Sequence, residues 1–384
     1  MISLVLIGDG ESPHLLKWAR ALAPHVDLWA ASSRGFAPDF NFLIPERQRL
    51  ALNTAPVQGG GNLAVIKQLP KLGAWLAEVN ADWLHAHYLT SHGALAWAAK
   101  TGWRLRARIA GSAWGSDILV TPNQGFAYRW LTRKVLRACT VCTSDSQHMT
   151  ARMKELGARE VMTFPFGLET LPALPEPEIK RDHMFFANRG LEPVYAPQRV
   201  LQVFAAAAAL WPDAELTLAN DGSLRAQLQQ QVQDAGLQDR VRFVGRLDAA
   251  TQDRCYARAR WYLSLPESDS ISVSVLEAMA QGCIPILSNL PANRELVRSD
   301  ANGWVLKPRG VPGPAELAPV LESLLARGDA IAEANHAWIA AHAMFGPAVA
   351  EFLARLRELL GEAGPGDTSP SAMPPADPSA SRSA

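Results

Sequence analysis

The sequence predicts an α/β protein built from two doubly wound domains facing a cleft, and three observations carry that expectation. Short apolar runs with strand character alternate with helix-length segments in the first half and again in the second, the rhythm of parallel βαβ units. The chain has 384 residues, which at roughly 150 residues per domain asks for two domains. Between the alternating halves, Leu168 to Asp182 holds three prolines, four acids and no hydrophobic period, the composition of a stiff linker.

Taken in order, Ile2 to Ile7 is an apolar β run, too short for a helix and stopped by Gly8-Asp9-Gly10. Ser12 then caps a helix with Pro13 at its first position, running to about Ala23. A strand at Val26 to Ala30, a helix at Leu63 to Val79, a strand at Trp83 to His87, a helix at His92 to Lys100 and a strand at Leu105 to Ile109 come next. Beyond the linker, strands are expected at Met184 to Ala187, Glu215 to Ala219, Val241 to Val244 and Trp261 to Leu265. Pro347 to Leu360 reads as an amphipathic helix. Gly364 to Ala384 has five prolines and no aromatic, Leu, Ile or Val, so it buries too little to offset its ordering entropy and is expected to be disordered. The expected divisions are a first domain at 1–170, a linker at 171–182, a second domain at 183–335, C-terminal helices at 336–362 that cross back to the first domain, and a tail at 363–384.

Charge and cysteine content remove several classes of function. Thirty-seven Lys and Arg balance 37 Asp and Glu, against the surplus of cations that coating a nucleic acid requires. The longest apolar run, Val203 to Trp211, falls far short of the ~20 residues of a membrane span. Met1 to Ile7 lacks the basic start of a secretory signal. Four cysteines in a chain of this size do not form a disulfide framework, so a reducing cytoplasm is expected. The balance hides an asymmetry: residues 1–170 hold 18 cations and 12 acids, a surplus of six that the remainder cancels.

The most informative stretch is Leu265 to Pro285, LPESDSISVSVLEAMAQGCIP. A strand ends near Leu265, a polar loop succeeds it, and a helix opens near Ser272 with Ser274 in its first turn and Gly282 as its stop. Unpaired amides and the positive dipole end of that helix make an anion site. Asp269 in the loop and Glu277 inside the helix lie eight residues apart, able to straddle a phosphate and bond hydroxyls on either side of it. On spacing alone, a cap and a solvated helix position account for them equally well.

The full pattern, an acid, seven residues, Glu277, then Ala-Met-Ala-x-Gly-x-x-Pro, resembles the family 4 retaining glycosyltransferases of the GT-B fold, two Rossmann-like domains. The resemblance covers nearly the whole chain apart from the tail. Asn220-Asp221-Gly222-Ser223 resembles the family's Gly-Asp-Gly-Pro turn, and Val241 to Arg246, with Gly245, its next strand and loop. Asn293 to Val297 and Asn302-Gly303 match the segment on the C-terminal side of its acidic motif. The resemblance implies a nucleotide-sugar donor with Glu277 on the ribose hydroxyls, Asp269 on the sugar, and amides of Ser270, Ile271 and Ser272 on the diphosphate. Arg189, just beyond the strand Met184 to Ala187, would then stabilise charge on the departing diphosphate. Two residues depart from the pattern: the first acid is Asp269 where the family commonly has Glu, and Val194 stands where it has Lys.

In the first half, the segments from Gly10 through His14 to Trp18, His85-Ala-His87-Tyr88 and Ala113-Trp114-Gly115-Ser116-Asp117 resemble the same family and fall at or just past expected strand ends. The resemblance makes His14, His85, Tyr88 and Trp114 acceptor-side residues, and Asp117 and His87 candidates for acceptor contact or proton handling. A strand-end cap for Asp117 and a packed ring for His87 remain open. Arg129, Arg133, Lys134 and Arg137 recur at helical spacing, a stripe that suits an anionic membrane surface carrying a lipid-linked acceptor or an ordinary solvated face.

Other signals carry less. Position 13 is Pro where a dinucleotide fingerprint needs its third Gly. Cys139-x-x-Cys142 has no second pair at zinc spacing, and Gly59 to Gly61 reads as a flexible loop. The resemblance implies a cytoplasmic enzyme without bound metal or cofactor, working in bacterial surface polysaccharide, lipopolysaccharide or glycolipid assembly, with the basic stripe as its contact if it meets the membrane. It would transfer a glycosyl group to a glycan or lipid-linked acceptor with retention. A catalytically weak nucleotide-sugar-binding partner subunit and a nucleotide-sugar epimerase of similar fold are the alternatives.

Overall fold

A computed structural model describes residues 1–54, 63–308 and 310–361. Seven strands form the first sheet: β1 (Ser3–Gly10), β2 (Asp27–Phe36), β3 (Arg49–Ala51), β4 (Trp83–His87), β5 (Arg108–Ser112), β6 (Val141–Ser144) and β7 (Val161–Thr163). They lie in the order β3-β2-β1-β4-β5-β6-β7, all pairs parallel. The second sheet holds β8 (Arg181–Ala187), β9 (Glu215–Ala219), β10 (Val241–Gly245), β11 (Ala259–Ser264), β12 (Ile284–Leu287) and β13 (Trp304–Val305). Its order is β10-β9-β8-β11-β12-β13, again parallel. In each sheet the winding reverses once, between β1 and β4 and between β8 and β11. Crevices open beyond the carboxyl ends of the strands at such reversals, and the sequence motifs lie there.

Each sheet carries an apolar core on both faces, as parallel sheets covered by crossover helices must. The helix Phe345–Leu360 lays Phe345, Val349, Phe352, Leu353 and Leu356 into the core around Leu4, Leu6 and Trp18 of the first sheet. Five such side chains stabilise the contact by about 1.5–3 kcal/mol each, and Arg355 adds a bidentate pair with Glu160 at 2.6 and 2.9 Å. The preceding helix, Gly328–His342, contributes Ile339 to the second sheet's core instead. The chain therefore passes between the two sheets at Ala343–Met344. There it runs beside Gly167–Leu168: Leu168 N donates to Ala343 O, and Phe345 N to Leu168 O, both at 2.8 Å. A side chain on Gly167 would strike the Ala343 backbone, so only glycine allows this close approach. Lys17 Nζ donates to Phe166 O at 2.9 Å and also to Gly167 O, tying the first helix to the same crossing.

Several element bounds differ from expectation. The predicted helix at Leu63 to Val79 is two helices, Leu63–Lys67 and Leu69–Val79, with Pro70 entering the second and unable to continue the first. β2 extends past Ala30 because Ser32 Oγ accepts from Gly10 N at 2.8 Å and donates to Gly35 O at 2.7 Å, anchoring a polar strand end. β5 lies three residues later than predicted. Its Gly111 leaves room for Leu89 and Cys139 Sγ, a packing reason invisible to hydrophobic period. β8 starts at Arg181, where Arg181–Glu215 and His183–Asp213 pairs hold a solvated strand end. The loop expected at Gly59 to Gly61 and the tail at 363–384 lie outside the described residues.

Candidate active site

At the carboxyl end of β8 the chain emerges as Asn188-Arg189. Arg189 turns toward the end of the neighbouring β11, where the loop to Ile271 leads into the helix Val273–Ala280 capped at Ser272. Arg189 Nη2 donates to Asp269 Oδ2 at 2.6 Å, and Nη1 donates to Ser272 Oγ. Its guanidinium lies 4.5 Å from the centre of the Tyr195 ring, a cation–π contact. The two side chains are only 20% and 18% exposed, so this charge pair is strongly felt. Burial raises the Asp269 carboxyl, and the Arg189 charge opposes that rise. Val194, at the position of the family's Lys, is exposed, and its carbonyl accepts from Glu267 N at 2.9 Å.

Glu277 accepts from Tyr256 Oη at 2.9 Å and from Gln252 Nε2 at 3.3 Å. Gln252 also lines a cavity of about 390 Å³ together with Asn188, Ala219, Asn220, Arg246 and Leu247. Asn220 and Arg246, from the two segments that resemble the family's turn and loop, both line it. Gly222 and Gly245 do not line it: a side chain on Gly222 would strike the Leu191 backbone, and Gly245 turns at φ +71°. Both glycines shape the backbone behind the cavity. Among the described residues no group of three His, Cys, Asp or Glu side chains is placed to hold a metal ion.

On the first sheet's side the candidates separate. His14 stacks on Trp114, ring centres 4.2 Å apart, in the first turn of Pro13–Leu22. Burial lowers its pKa to about 4, with the Lys17 and Arg189 charges adding to the effect. Tyr88 stacks on the same indole and holds φ +59°, a conformation rare outside glycine. Three candidates lie deeper than a strand-end position implies. His85 is fully buried, bonded through Nε2 to Ser112 Oγ at 2.7 Å and packed on Trp18 and Phe352. It is a core histidine, because a strand side chain at position 85 faces the packed helix layer. His87 is buried beside it, its Nδ1 accepting from Trp114 Nε1 at 3.1 Å; burial holds its pKa well below the usual value. Asp117 is also buried, accepting from Leu89 N at 2.8 Å and Trp114 N at 2.9 Å. Both its oxygens hold the loop, and Asp117 and His87 together position Trp114; His87 Nε2 has no hydrogen-bond partner among the described residues.

The halves meet through exchanged carboxylates. Asp145, between β6 and the helix Gln147–Leu156, accepts from Ser270 Oγ and from the Ile271 amide, while Ser146 Oγ lies 2.8 Å from Ser270 Oγ. In return Glu295 accepts from the first amides of that helix, Gln147 N at 2.8 Å and His148 N at 2.7 Å, as an acid at a helix N-terminus does. Ser270 N donates to its neighbour Asp269 Oδ1 at 3.0 Å. The Ser270 and Ile271 amides, expected on a diphosphate, here bond Asp269 and Asp145. Among the described residues the amides of Ser272, Val273 and Ser274 at the start of the helix have no recorded acceptor.

Two family models match the chain. Residues 3–146 match the glycosyl transferase 4-like family and residues 175–341 match glycosyl transferases group 1, one model on each sheet. The chain belongs to the family 4 glycosyltransferases. This glycosyltransferase is 25% identical to a phosphatidyl-myo-inositol mannosyltransferase of Mycobacterium leprae over 342 residues, 85% of this chain and 86% of the relative. Among solved structures it resembles HepE of Anabaena in complex with UDP-glucose, with a TM-score of 0.74 at 16% identity, over 92% of this chain and 100% of that one. Sucrose-phosphate synthase of Thermosynechococcus elongatus gives 0.74 at 16%, over 94% and 100%. Those structural likenesses establish the GT-B fold of the glycosyltransferase. Sequence reasoning missed Asn188, Gln252, Tyr256 and Tyr262 around the second sheet and Asp145 on the first. Only Asp145 left a local signal, as the polar trio Ser144-Asp145-Ser146 between a strand and a helix.

Proposed function

We propose that this glycosyltransferase binds a nucleoside diphosphate sugar in its second domain and passes the glycosyl group, with retention, to an acceptor hydroxyl held against the first. The observation that carries this reading is the meeting of Arg189 with the start of the helix Val273–Ala280, in line with Glu277 and the cavity beside it. A base and ribose fill the cavity with ribose hydroxyls on Glu277, and the diphosphate lies over the Val273 and Ser274 amides. Arg189 Nε, which has no partner among the described residues, is then available to the leaving phosphate. The departing phosphate oxygen takes the acceptor's proton. Supplying UDP-, GDP- and ADP-sugars and following the product's anomeric signal by NMR tests this. The product keeps the donor's configuration; an inverted product, or no nucleoside diphosphate released from any of them, contradicts the reading.

A lipid-linked acceptor in surface glycan or glycolipid assembly, with peripheral attachment to an anionic membrane, is supported by the helix Phe126–Ala138. Its exposed face carries Arg129, Arg133, Lys134 and Arg137 together with Phe126 at 86% and Trp130 at 47% exposure. No described helix is long and apolar enough to cross a membrane, whereas cations beside exposed aromatics suit the interface. The protein should float with vesicles containing an anionic phospholipid and not with neutral ones, and Phe126→Ser with Trp130→Ser should abolish it. Equal flotation with both vesicle types would remove the anionic surface from this reading, and no flotation with either would remove the membrane.

A further inference from the structure

Behind the donor-side residues lies a set of buried hydroxyls that no role above uses. Tyr256 and Tyr262 are fully buried, packed against Phe186 at 5.0 and 6.2 Å between ring centres. Packing alone would be served by phenylalanine, and a buried hydroxyl costs stability unless it is bonded. Both hydroxyls are bonded, and to each other's neighbours. Asn188 joins them: its Nδ2 donates to Tyr256 Oη at 2.7 Å, and its Oδ1 accepts from Tyr262 Oη at 2.6 Å. Tyr256 Oη reaches Glu277 Oε2 at 2.9 Å. Tyr262 Oη lies 2.9 Å from Ser274 Oγ, and Ser274 Oγ 2.8 Å from Ser272 Oγ, which accepts from Arg189.

The chemistry of the two ends fixes the direction of every proton between them. A guanidinium only donates and a carboxylate only accepts. Starting from Arg189, Ser272 accepts and donates to Ser274. Ser274 donates to Tyr262, whose own proton goes to the amide oxygen of Asn188. Asn188 then donates to Tyr256, and Tyr256 turns its proton to Glu277 at 2.9 Å, the nearer and the charged acceptor beside the Ser274 carbonyl at 3.2 Å. With the Asn188 amide reversed, Tyr256 would spend its proton on Asn188 and leave Glu277 without it. Burial raises the pKa of both phenols, so each keeps its proton. Hydrogen bonds aligned head to tail between opposite charges reinforce one another.

We propose that Tyr256 and Tyr262, joined by Asn188, are positioning residues that hold the Glu277 carboxylate and the Arg189 guanidinium in one directional hydrogen-bond chain, so that ribose recognition and diphosphate recognition are coupled. The proposal rests on the donor-site reading above. It assigns these phenols no contact with the donor; they act through the charged groups at either end.

The test uses the full-length protein, with Tyr256→Phe and Tyr262→Phe as volume-conserving variants checked by thermal melts. Isothermal titration compares UDP, GDP and ADP, then the corresponding monophosphate and the dideoxyribose form of whichever diphosphate binds. Wild type prefers ribose over dideoxyribose and diphosphate over monophosphate. Tyr256→Phe lowers the ribose preference about tenfold and the diphosphate preference about threefold, and Tyr262→Phe does the reverse, the scale of losing about one hydrogen bond. Preferences unchanged in both variants overturn the proposal. So does each variant altering only the nearer preference, since that describes two separate contacts. If one variant fails to fold, the far-end effect in the other decides. A wild type without either preference overturns the donor-site reading itself, and so is distinguishable from a wild type whose preferences survive in the variants.

Discussion

Arg189→Ala should lower turnover of the nucleotide-sugar donor by about 10²–10³-fold, the loss expected on removal of one preorganised donor to developing negative charge. The effect belongs in kcat, because the charge on the bridging oxygen grows as the glycosyl bond breaks. Arg189→Lys should recover little. An ammonium cannot hold Asp269 and Ser272 on two nitrogens as Arg189 does. Removing the guanidinium also leaves Asp269 buried beside Ser270 with no opposing charge, which disturbs the loop independently of the chemistry. The double variant Arg189→Ala with Asp269→Asn removes that charge. It should remain as slow as the single variant, measured as nucleoside diphosphate released per unit time. Turnover within threefold of wild type in Arg189→Ala would remove Arg189 from the chemistry.

The second large effect is on stability against pH, where buried histidines and buried acids pull in opposite directions. Burial lowers His14 and His92 to about 4, His85 to about 3, and His87 well below its usual value. Below the unfolded histidine pKa of about 6.5, the unfolded chain takes up protons that the folded chain refuses, so stability is lost as pH falls toward 4. Asp117 and Asp145 are pushed up to about 6 and about 8 by burial; for Asp145 the Asp269 charge adds to the rise while the Ser270 bond opposes it. From about pH 4 upward these acids hold protons that the unfolded chain releases, so their contribution is lost as pH rises through those values. Four histidines outweigh the acids below pH 6.5, and Asp145 acts on the other side of it. The melting temperature should therefore peak near pH 6.5. Asp145→Asn, which keeps a neutral partner for Ser270, should flatten the decline toward pH 8 while leaving the acid limb in place. A decline toward pH 8 of the same slope in Asp145→Asn would show that Asp145 is already ionised there.

How much could be read without the structure divides along local and long-range lines. The cap at Ser12, the helix opening at Ser272 and the placement of Arg189 just past a strand are local patterns of a few residues, and the fold reproduces them. The acceptor-side assignments were weaker because strand-end position does not say which face a side chain takes. His85 and His87, two apart, share one face of β4, and that face lies under Trp18. Asp117 looked chemical in sequence and is spent on two backbone amides that only the folded loop brings to it. Asp145 was unreadable for a different reason: its partner Ser270 is 125 residues away, on the other sheet. Tyr256 and Tyr262 sit where an apolar pattern accepts any aromatic, so nothing in the period marks their hydroxyls.

A crystal structure with UDP, GDP or ADP bound, whichever the protein takes up, tests the site most directly. Both phosphates should lie within hydrogen-bonding distance of the Arg189 guanidinium and the Val273 and Ser274 amides, with ribose hydroxyls on Glu277. A diphosphate seated elsewhere, or a ribose turned away from Glu277 with Arg189 still closed on Asp269, would contradict it.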